Sequence, residues 1–440
     1  MADHTLSHIP HLPLTPVVGH TLEMLNNSYD FHLRSRAELG QMYRAKVFGD
    51  WRVCLAGLNA LDFVLNDRDR LFSSREGWKT LHGLFDGGLA LRDFDDHRRH
   101  RRIMQSAFRS TALQNYVARM GDAFGTALDS WPSDQAFPFY PKIKALTLRL
   151  GNQVFMGLAP QDPRGDALNR AFTTEVAASM GLIRRPLPFT KMWHGHRSRA
   201  YLTRQFQELI TKRRESGGSD FFSQMCRAKD EDGDGWTDAE IIDHFNFLLV
   251  AAHDTTASGL TSMVAALAQH PEWQDQVADE IKGLAEQDLT LEKLAALPVT
   301  ETVMKEAIRL RPPIPFIPRR ALRSFDWQGS HIPAGTRVLV CPGIEMLSAE
   351  IYPEPYRFEP DRLGTRGSVV RTHPLAWAPF CAGAHKCIGL HFATLQIKTF
   401  TIALLRRYRV ELASATPSTW AHLPIPKPKD GLPVNLSARA

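Results

Sequence analysis

Apolar residues recur at three- and four-residue spacing through most of the chain, and strict apolar–polar alternation is rare. The spacing predicts helices over His97–Phe108, Thr203–Glu215 (ending near Gly217-Gly218), Asp238–Gln269, Leu297–Leu310 and Ile388–Leu405. It also places Leu61–Leu65 and Leu71–Phe72 in one early helical region. The Asp238–Gln269 helix opens on acidic residues, which complement the partial positive charge of a helix start. Leu297–Leu310 is stopped by Pro312-Pro313, which cannot continue the hydrogen-bond ladder. Strand-like pieces are few: Met42–Val47, Arg52–Leu55 and Thr336–Cys341, the last after the turn signal Pro333-Ala334-Gly335. Pro and Gly thicken after Pro312, and residues 350–390 read as loops, where chemistry is commonly held. No repeat, low-complexity tract or composition break marks a boundary, so residues 1–440 are expected to form a single, mainly α domain.

Composition narrows the class. Hydrophobic residues are 43% and charged ones 23%, the ordinary globular balance, which excludes disordered, collagen-like and disulfide-scaffold chains. A net charge of +6 over 440 residues is too mild to point to nucleic acid. The N-terminus lacks the basic and apolar regions of a signal peptide. No run approaches the ~18 apolar residues of a membrane span; Phe245–Ala252 is cut short by His253 and Asp254. A soluble, cytoplasmic protein without a transmembrane anchor is expected, with peripheral membrane contact left open.

The five cysteines, Cys54, Cys226, Cys341, Cys381 and Cys387, are odd in number and contain no CxxC pair. That disfavours disulfides and structural zinc and fits free thiols in a reducing compartment. One acidic loop is a decoy. Asp230, Asp232, Asp234 and Gly235 resemble the start of a calcium loop, whose twelfth position must be Glu. Here that position is Ile241, and Glu240 comes one residue early, a turn of about 100° on a helix.

The segment Phe380-Cys-Ala-Gly383-Ala-His385-Lys386-Cys387-Ile-Gly389 carries the most chemistry. Nearby cations, backbone N–H groups and a helix start favour a thiolate, and the glycines permit close backbone approach. The alternative is an inert core cysteine, the common fate of free Cys. The basic flank and glycine spacing together favour the ligand reading for Cys387, and Cys381 is read as packing. This segment resembles the signature of the cytochrome P-450 superfamily, Phe-x-x-Gly-x-(Arg/His)-x-Cys-x-Gly, at every fixed position. The resemblance implies haem b (iron protoporphyrin IX) with Cys387 as axial thiolate, in a loop that includes Phe380, Gly383, His385 and Gly389.

Three further motifs carry the same resemblance. Glu306-Ala-Ile-Arg309 puts an acid and a base on one helix face; read alone, this is a solvated surface pair. In the family a buried pair of this kind joins an Arg from a Phe-x-Pro-x-Arg segment, here Phe358-Glu-Pro-Asp-Arg362, and holds the haem-side loop in register. In Ala251-Ala252-His253-Asp254-Thr255-Thr256 an acid and an alcohol adjoin inside an apolar helix. By itself Thr255 could simply bond back to its own helix. The family assigns the alcohol (Thr255) and acid (Asp254) to proton delivery, with a helix bulge where Ala252 replaces the usual Gly. His97 and Arg101 share a helix face. By resemblance they bind haem propionates with Arg319 and His385, whereas the bland alternative is a solvated basic face or a nucleic-acid patch.

The resemblance covers roughly residues 13–412 and implies the P-450 fold, a triangular helical prism with small β-sheets. It implies a monooxygenase that inserts one oxygen atom from O2 into a hydrophobic small molecule, probed by a pocket of Trp78, Leu81, Leu84, Phe85, Phe247, Ala251, Ile314, Phe316 and Ile317. No reductase segment is fused, so a separate ferredoxin or flavodoxin is expected, docking on Lys386, Arg98, Arg99 and Arg102; a monomer is expected. Pro186-Leu-Pro-Phe-Thr190 and Arg309-Leu-Arg-Pro-Pro-Ile-Pro resemble the branch that oxidises retinoids, sterols and plant steroids, in a soluble bacterial form. A steroid-, terpenoid- or retinoid-sized substrate follows. The rivals are a fatty-acid hydroxylase, a peroxide-driven haem hydroxylase and a haem sensor or carrier without turnover.

Overall fold

Thr237 starts the longest helix with a reciprocal cap: its hydroxyl accepts from the Glu240 amide while the Glu240 carboxylate accepts from the Thr237 amide. Such a capping box satisfies two otherwise orphaned donors. The helix then runs over Asp238–Gln269, as the sequence predicts. The computed structural model describes residues 6–181, 183–216, 218–229, 233–364 and 373–439. Asp230 and Asp232 of the acidic loop and Gly217 lie outside them.

The longer helices are α1 (Thr21–Leu39), α2 (Leu58–Asn66), α3 (Phe94–Gln105), α4 (Ser110–Leu128), α5 (Phe139–Met156), α6 (Arg164–Ser179), α7 (Lys191–Ser216), α8 (Asp238–Gln269), α9 (Pro271–Glu280), α10 (Pro298–Leu310) and α11 (Leu390–Arg407). The strands used below are β1 (Met42–Val47), β2 (Asp50–Leu55), β3 (Phe72–Ser73), β4 (Phe137–Pro138), β5 (Ile317–Ala321), β6 (Arg337–Val340), β7 (Tyr408–Leu412) and β8 (Pro433–Ala438). The fold is helix-rich with small sheets, as expected.

Two elements differ from the sequence reading. The early helical region divides at Asp67, whose φ is +41°. Its carboxylate accepts from the amides of Leu71 (2.7 Å) and Phe72 (3.1 Å), which turns the chain into β3. Helix α7 begins twelve residues before Thr203, at Lys191, because His194, Gly195, His196 and Arg197 hide its apolar face from the pattern. Gly195 has a packing reason: a Cβ there would lie 2.4 Å from the Ala178 Cβ of α6.

The chain divides into two compact units. The first comprises residues 1–79, 302–387 and 419–429 and holds a sheet of order β1-β2-β6-β5-β3. Alternation along its strands separates two clusters. Val53, Leu55, Val338 and Val340 join the core with α2, whereas Cys54 and Leu339 face Tyr43, Ala45 and Phe31.

The second unit comprises residues 80–301, 388–418 and 430–440 and holds the sheet β4-β8-β7. Its centre is α8, which packs on α5 and α11. The stretch Gly383–Arg407 has the length and hydropathy of a membrane-crossing helix. Its helical part, α11, buries Phe392, Ile397, Phe400, Ile402 and Leu404 as a core helix of this unit.

Candidate functional site

In the first unit Glu306 and Arg309, one helical turn apart on α10, are both fully buried and pair bidentately at 2.7 and 2.9 Å. Arg362 approaches the same carboxylate at 3.3 Å, and the Glu359 amide donates to it at 3.0 Å. The remaining guanidinium donors reach the carbonyls of Met346 (2.6 Å) and Arg357 (3.3 Å). The Arg309 guanidinium lies 4.6 Å over the Tyr352 ring, whose hydroxyl donates to the Ala376 carbonyl. A buried carboxylate satisfied on all sides is held rather than reactive. Its effect is to tie α10 to the segment that leads into the cysteine loop.

That loop closes on its own backbone. The Cys387 amide donates to the Phe380 carbonyl at 2.9 Å and the Lys386 amide to the Gly383 carbonyl at 3.1 Å. Gly383 has φ +62°, and a Cβ there would lie 2.1 Å from the Leu65 carbonyl oxygen at the end of α2. Only glycine allows the loop that close to α2. Gly389 caps α11, so Cys387 sits two residues before the cap rather than at the helix start expected from the sequence. Among the five thiols, Cys387 is the exposed one. Burial pushes Cys54 and Cys226 up to about 12 and raises Cys341 and Cys381, so those four stay protonated. Arg319, buried on β5, also bonds Cys381, which accounts for the second loop cysteine. An exposed thiol in a tightly turned loop, with His385 beside it, fits the proximal ligand of a haem.

In the second unit α8 is buried on most sides but keeps one partly open stripe: Asp243, Phe247, Val250, Ala251, Asp254 and Thr255. This is helical spacing, so one face of a core helix is presented. The Thr255 hydroxyl donates to the Ala251 carbonyl at 2.6 Å. The helix continues unbroken through Ala252. Asp254 pairs with Lys144 of α5 at 2.7 Å and with His253 Nδ1 at 3.2 Å. Burial raises the Asp254 pKa, but His253 and Lys144 outweigh it and hold the carboxyl at about 2. Lys144 was not legible as a partner in the sequence; the only signal for His253 was its place beside an acid in an apolar helix.

Helix α3 separates its basic residues by face. His97 and His100 are buried, while Arg98, Arg99 and Arg102 are exposed and Arg101 lies between. Arg98 pairs with Asp95 and Arg99 with Glu240. His100, not singled out in the sequence, meets His244 of α8 ring to ring, Nδ1 to Nε2 2.7 Å.

Of the expected pocket residues, Trp78, Leu81, Phe247, Ala251, Ile314 and Phe316 keep accessible surface, and Leu84, Phe85 and Ile317 are buried. Leu84 and Phe85 are buried, because the Leu84 side chain turns toward Gly195 of α7. Ile317 belongs to the sheet core, against which Trp78 and Ile314 pack. The Phe316 ring packs on Tyr29 (5.7 Å) and His32 (5.1 Å).

Comparison with known proteins gives the same picture. A sequence model of the cytochrome P450 family matches residues 10–429. The cytochrome P450 136 of Mycobacterium tuberculosis is 36% identical over 437 residues, covering 96% of this chain and 87% of its own. Cyclooctat-9-en-7-ol 5-monooxygenase of Streptomyces melanosporofaciens is 28% identical and covers 91% and 89%. The solved structure of retinoic-acid-bound cyanobacterial CYP120A1 superposes with a TM-score of 0.88 at 27% identity, over 98% of this chain and all of that one. With its signature loop, its buried Glu–Arg pair and a match over nearly its whole length, the chain belongs to the cytochrome P450 family, whose members bind haem through a cysteine thiolate.

Proposed function

We propose that this P450 is a monooxygenase that inserts one oxygen atom from O2 into a steroid-, terpenoid- or retinoid-sized molecule, with electrons from a separate ferredoxin or flavodoxin. The observation that carries the reading is Cys387, the exposed thiol in a loop whose path Gly383 makes possible. Bound there, haem supplies oxygen activation.

The chain's own residues have distinct tasks in this reading. Cys387 would ligate the iron, with Phe380 and Gly389 shaping the loop around the sulfur. By the family resemblance, His97, Arg101, Arg319 and His385 would supply cations for the two haem carboxylates, a match of planar donors to carboxylate oxygens. Glu306, Arg309 and Arg362 hold the loop. Thr255 would deliver a proton from its hydroxyl, and Asp254 would relay a replacement to it after leaving Lys144, since an acid held near 2 carries no proton while paired. Leu81, Phe247 and Ala251 present the apolar surface that such substrates need. Exposed Lys386, Arg98, Arg99 and Arg102 suit an acidic redox partner. Buried free thiols suit a reducing cytoplasm.

The substrate class is supported by two similar proteins whose names carry a ligand, retinoic acid and the cyclic alcohol cyclooctat-9-en-7-ol. Titration of the haem spectrum with retinoid, sterol, terpenoid and fatty-acid panels tests it. Spin-state shifts at micromolar concentration from the first three support the reading; shifts from fatty acids alone overturn it.

A further inference from the structure

In the second unit, the link between α6 (ending at Ser179) and α7 (starting at Lys191) turns large apolar side chains outward. Met180, Ile183, Leu187 and Phe189 are all exposed, Phe189 to 85%. A single exposed apolar residue needs no explanation, but four within one short link form a patch.

The backbone is strained where the exposure is greatest. Phe189 has φ +66°, a left-handed conformation that a bulky residue rarely adopts. The turn around it is held at both ends. The Thr190 hydroxyl donates to the Leu187 carbonyl at 2.6 Å and accepts from the Trp193 amide at 3.2 Å, at the start of α7. Arg184 donates to the Ser179 carbonyl at the end of α6 at 2.6 Å and to the Thr80 carbonyl. The Phe189 ring therefore stands out in water, with Trp193 beside it at 5.8 Å.

The charge around this patch has one sign. Between Glu175 and Glu208 the chain has no acidic residue and six cations: Arg184, Arg185, Lys191, Arg197, Arg199 and Arg204. These six equal the whole formal excess of +6, so the rest of the chain is balanced. Arg199 pairs with Asp243 of α8. Arg185 and Lys191 are exposed on either side of Leu187 and Phe189, and the Arg197 guanidinium lies 4.7 Å over the Trp193 ring.

An apolar tip among cations fits one kind of surface best. A second copy of this chain would bring like charges together. Nucleic acid would meet the cations but leave Leu187 and Phe189 in water. An anionic bilayer takes both: its phosphates meet the cations, and the boundary just beneath them takes the apolar side chains. We propose that residues 183–197 are a docking surface for an anionic phospholipid membrane, with Leu187 and Phe189 inserted at the headgroup boundary and Arg185, Lys191 and Arg197 on the phosphates. The contact is peripheral, and it uses none of the residues assigned to haem or substrate.

The test is co-sedimentation of the haem-loaded protein with vesicles of phosphatidylcholine alone and of a two-to-one mixture of phosphatidylcholine and phosphatidylglycerol. Binding to the mixed vesicles should be at least about tenfold tighter, since each cation near an anionic surface contributes about fivefold. It should weaken by at least about tenfold in about 1 M salt, where the screening length is about 3 Å. The double variant Arg185→Glu, Lys191→Glu should weaken it by about tenfold or more. Arg204→Glu changes a charge about 20 Å beyond Lys191 along α7 and should weaken it by less than about threefold. Phe189→Gly removes the ring and relieves the strained backbone. It should bind about tenfold more weakly, while its thermal midpoint without vesicles stays level or rises. Equal affinity for the two vesicle types, wild-type binding by Phe189→Gly, or equal losses from Arg204→Glu and the double variant overturns the docking surface. A lower midpoint in Phe189→Gly would make the ring a packing residue and overturn it as well.

Discussion

Lys144 and Asp254, on α5 and α8, form a partly buried ion pair at 2.7 Å, and His253 braces the same carboxylate while its Nε2–H donates to the Lys144 carbonyl. The pair keeps Asp254 ionised at about 2, below its ordinary 3.8. A depressed carboxyl stabilises the fold above its ordinary value, and that stability is lost as pH falls toward the depressed one. Asp254→Asn should therefore lower stability by about 2 kcal/mol at neutral pH, and the gap should narrow from about pH 4, to roughly half by pH 3, and close toward pH 2. Urea midpoints of both proteins at pH 7 and pH 3 check this; an equal gap at both values contradicts it.

The Glu306–Arg309–Arg362 cluster predicts a much larger effect. Removing one partner of a buried ion pair leaves an uncompensated charge and costs about 3–5 kcal/mol. Arg309→Leu should unfold the protein or abolish haem retention. Arg98→Glu, at an exposed pair, should move stability by less than about 0.5 kcal/mol. Thermal unfolding and the haem-to-protein ratio distinguish the two. Similar midpoints for both variants would show that the cluster does not hold the loop.

Two glycines separate strain from collision. Gly40 has φ +89° with nothing within 4 Å of an added Cβ, whereas Gly383 has φ +62° and the Leu65 oxygen at 2.1 Å. Gly40→Ala should cost about 1–3 kcal/mol of backbone strain. Gly383→Ala must also push the cysteine loop off α2, so its unfolding midpoint should fall further and its haem content should drop. Equal midpoints and full haem in both contradict the close approach.

The His100–His244 contact predicts a pH dependence in the same direction as that of Asp254, from a different origin. Burial lowers both imidazoles below 6.5, so the folded state holds them neutral. Below that value the unfolded chain binds protons that the folded one refuses, and stability falls with pH. His244→Phe should flatten the loss of thermal midpoint between pH 7.5 and 5. An unchanged slope would show that the pair does not titrate in the unfolding reaction.

The parts of this protein legible in the sequence were those encoded by neighbours in the chain. The cysteine loop is a run of ten residues, and the ends of α8 are marked by Thr237, Glu240 and the polar residues beyond Gln269. The Glu306–Arg309 pair is one turn of one helix, so its spacing already placed both groups together. What escaped depends on residues remote in sequence. Lys144 reaches Asp254 only because α5 packs on α8. Leu84 turns inward because Gly195 opens room on α7, and Phe316 finds Tyr29 and His32 across a sheet cluster. Periodicity identifies a buried face but does not say which neighbour buries it.

The central claim is that Cys387, of five cysteines, is the haem ligand. Its most direct test is the carbon monoxide difference spectrum of the dithionite-reduced, haem-loaded protein. Wild type should give the strongly red-shifted Soret band of a thiolate-ligated haem. Cys387→Ala should lose that band, while Cys381→Ala should keep it. A wild-type band that survives in Cys387→Ala would contradict the account.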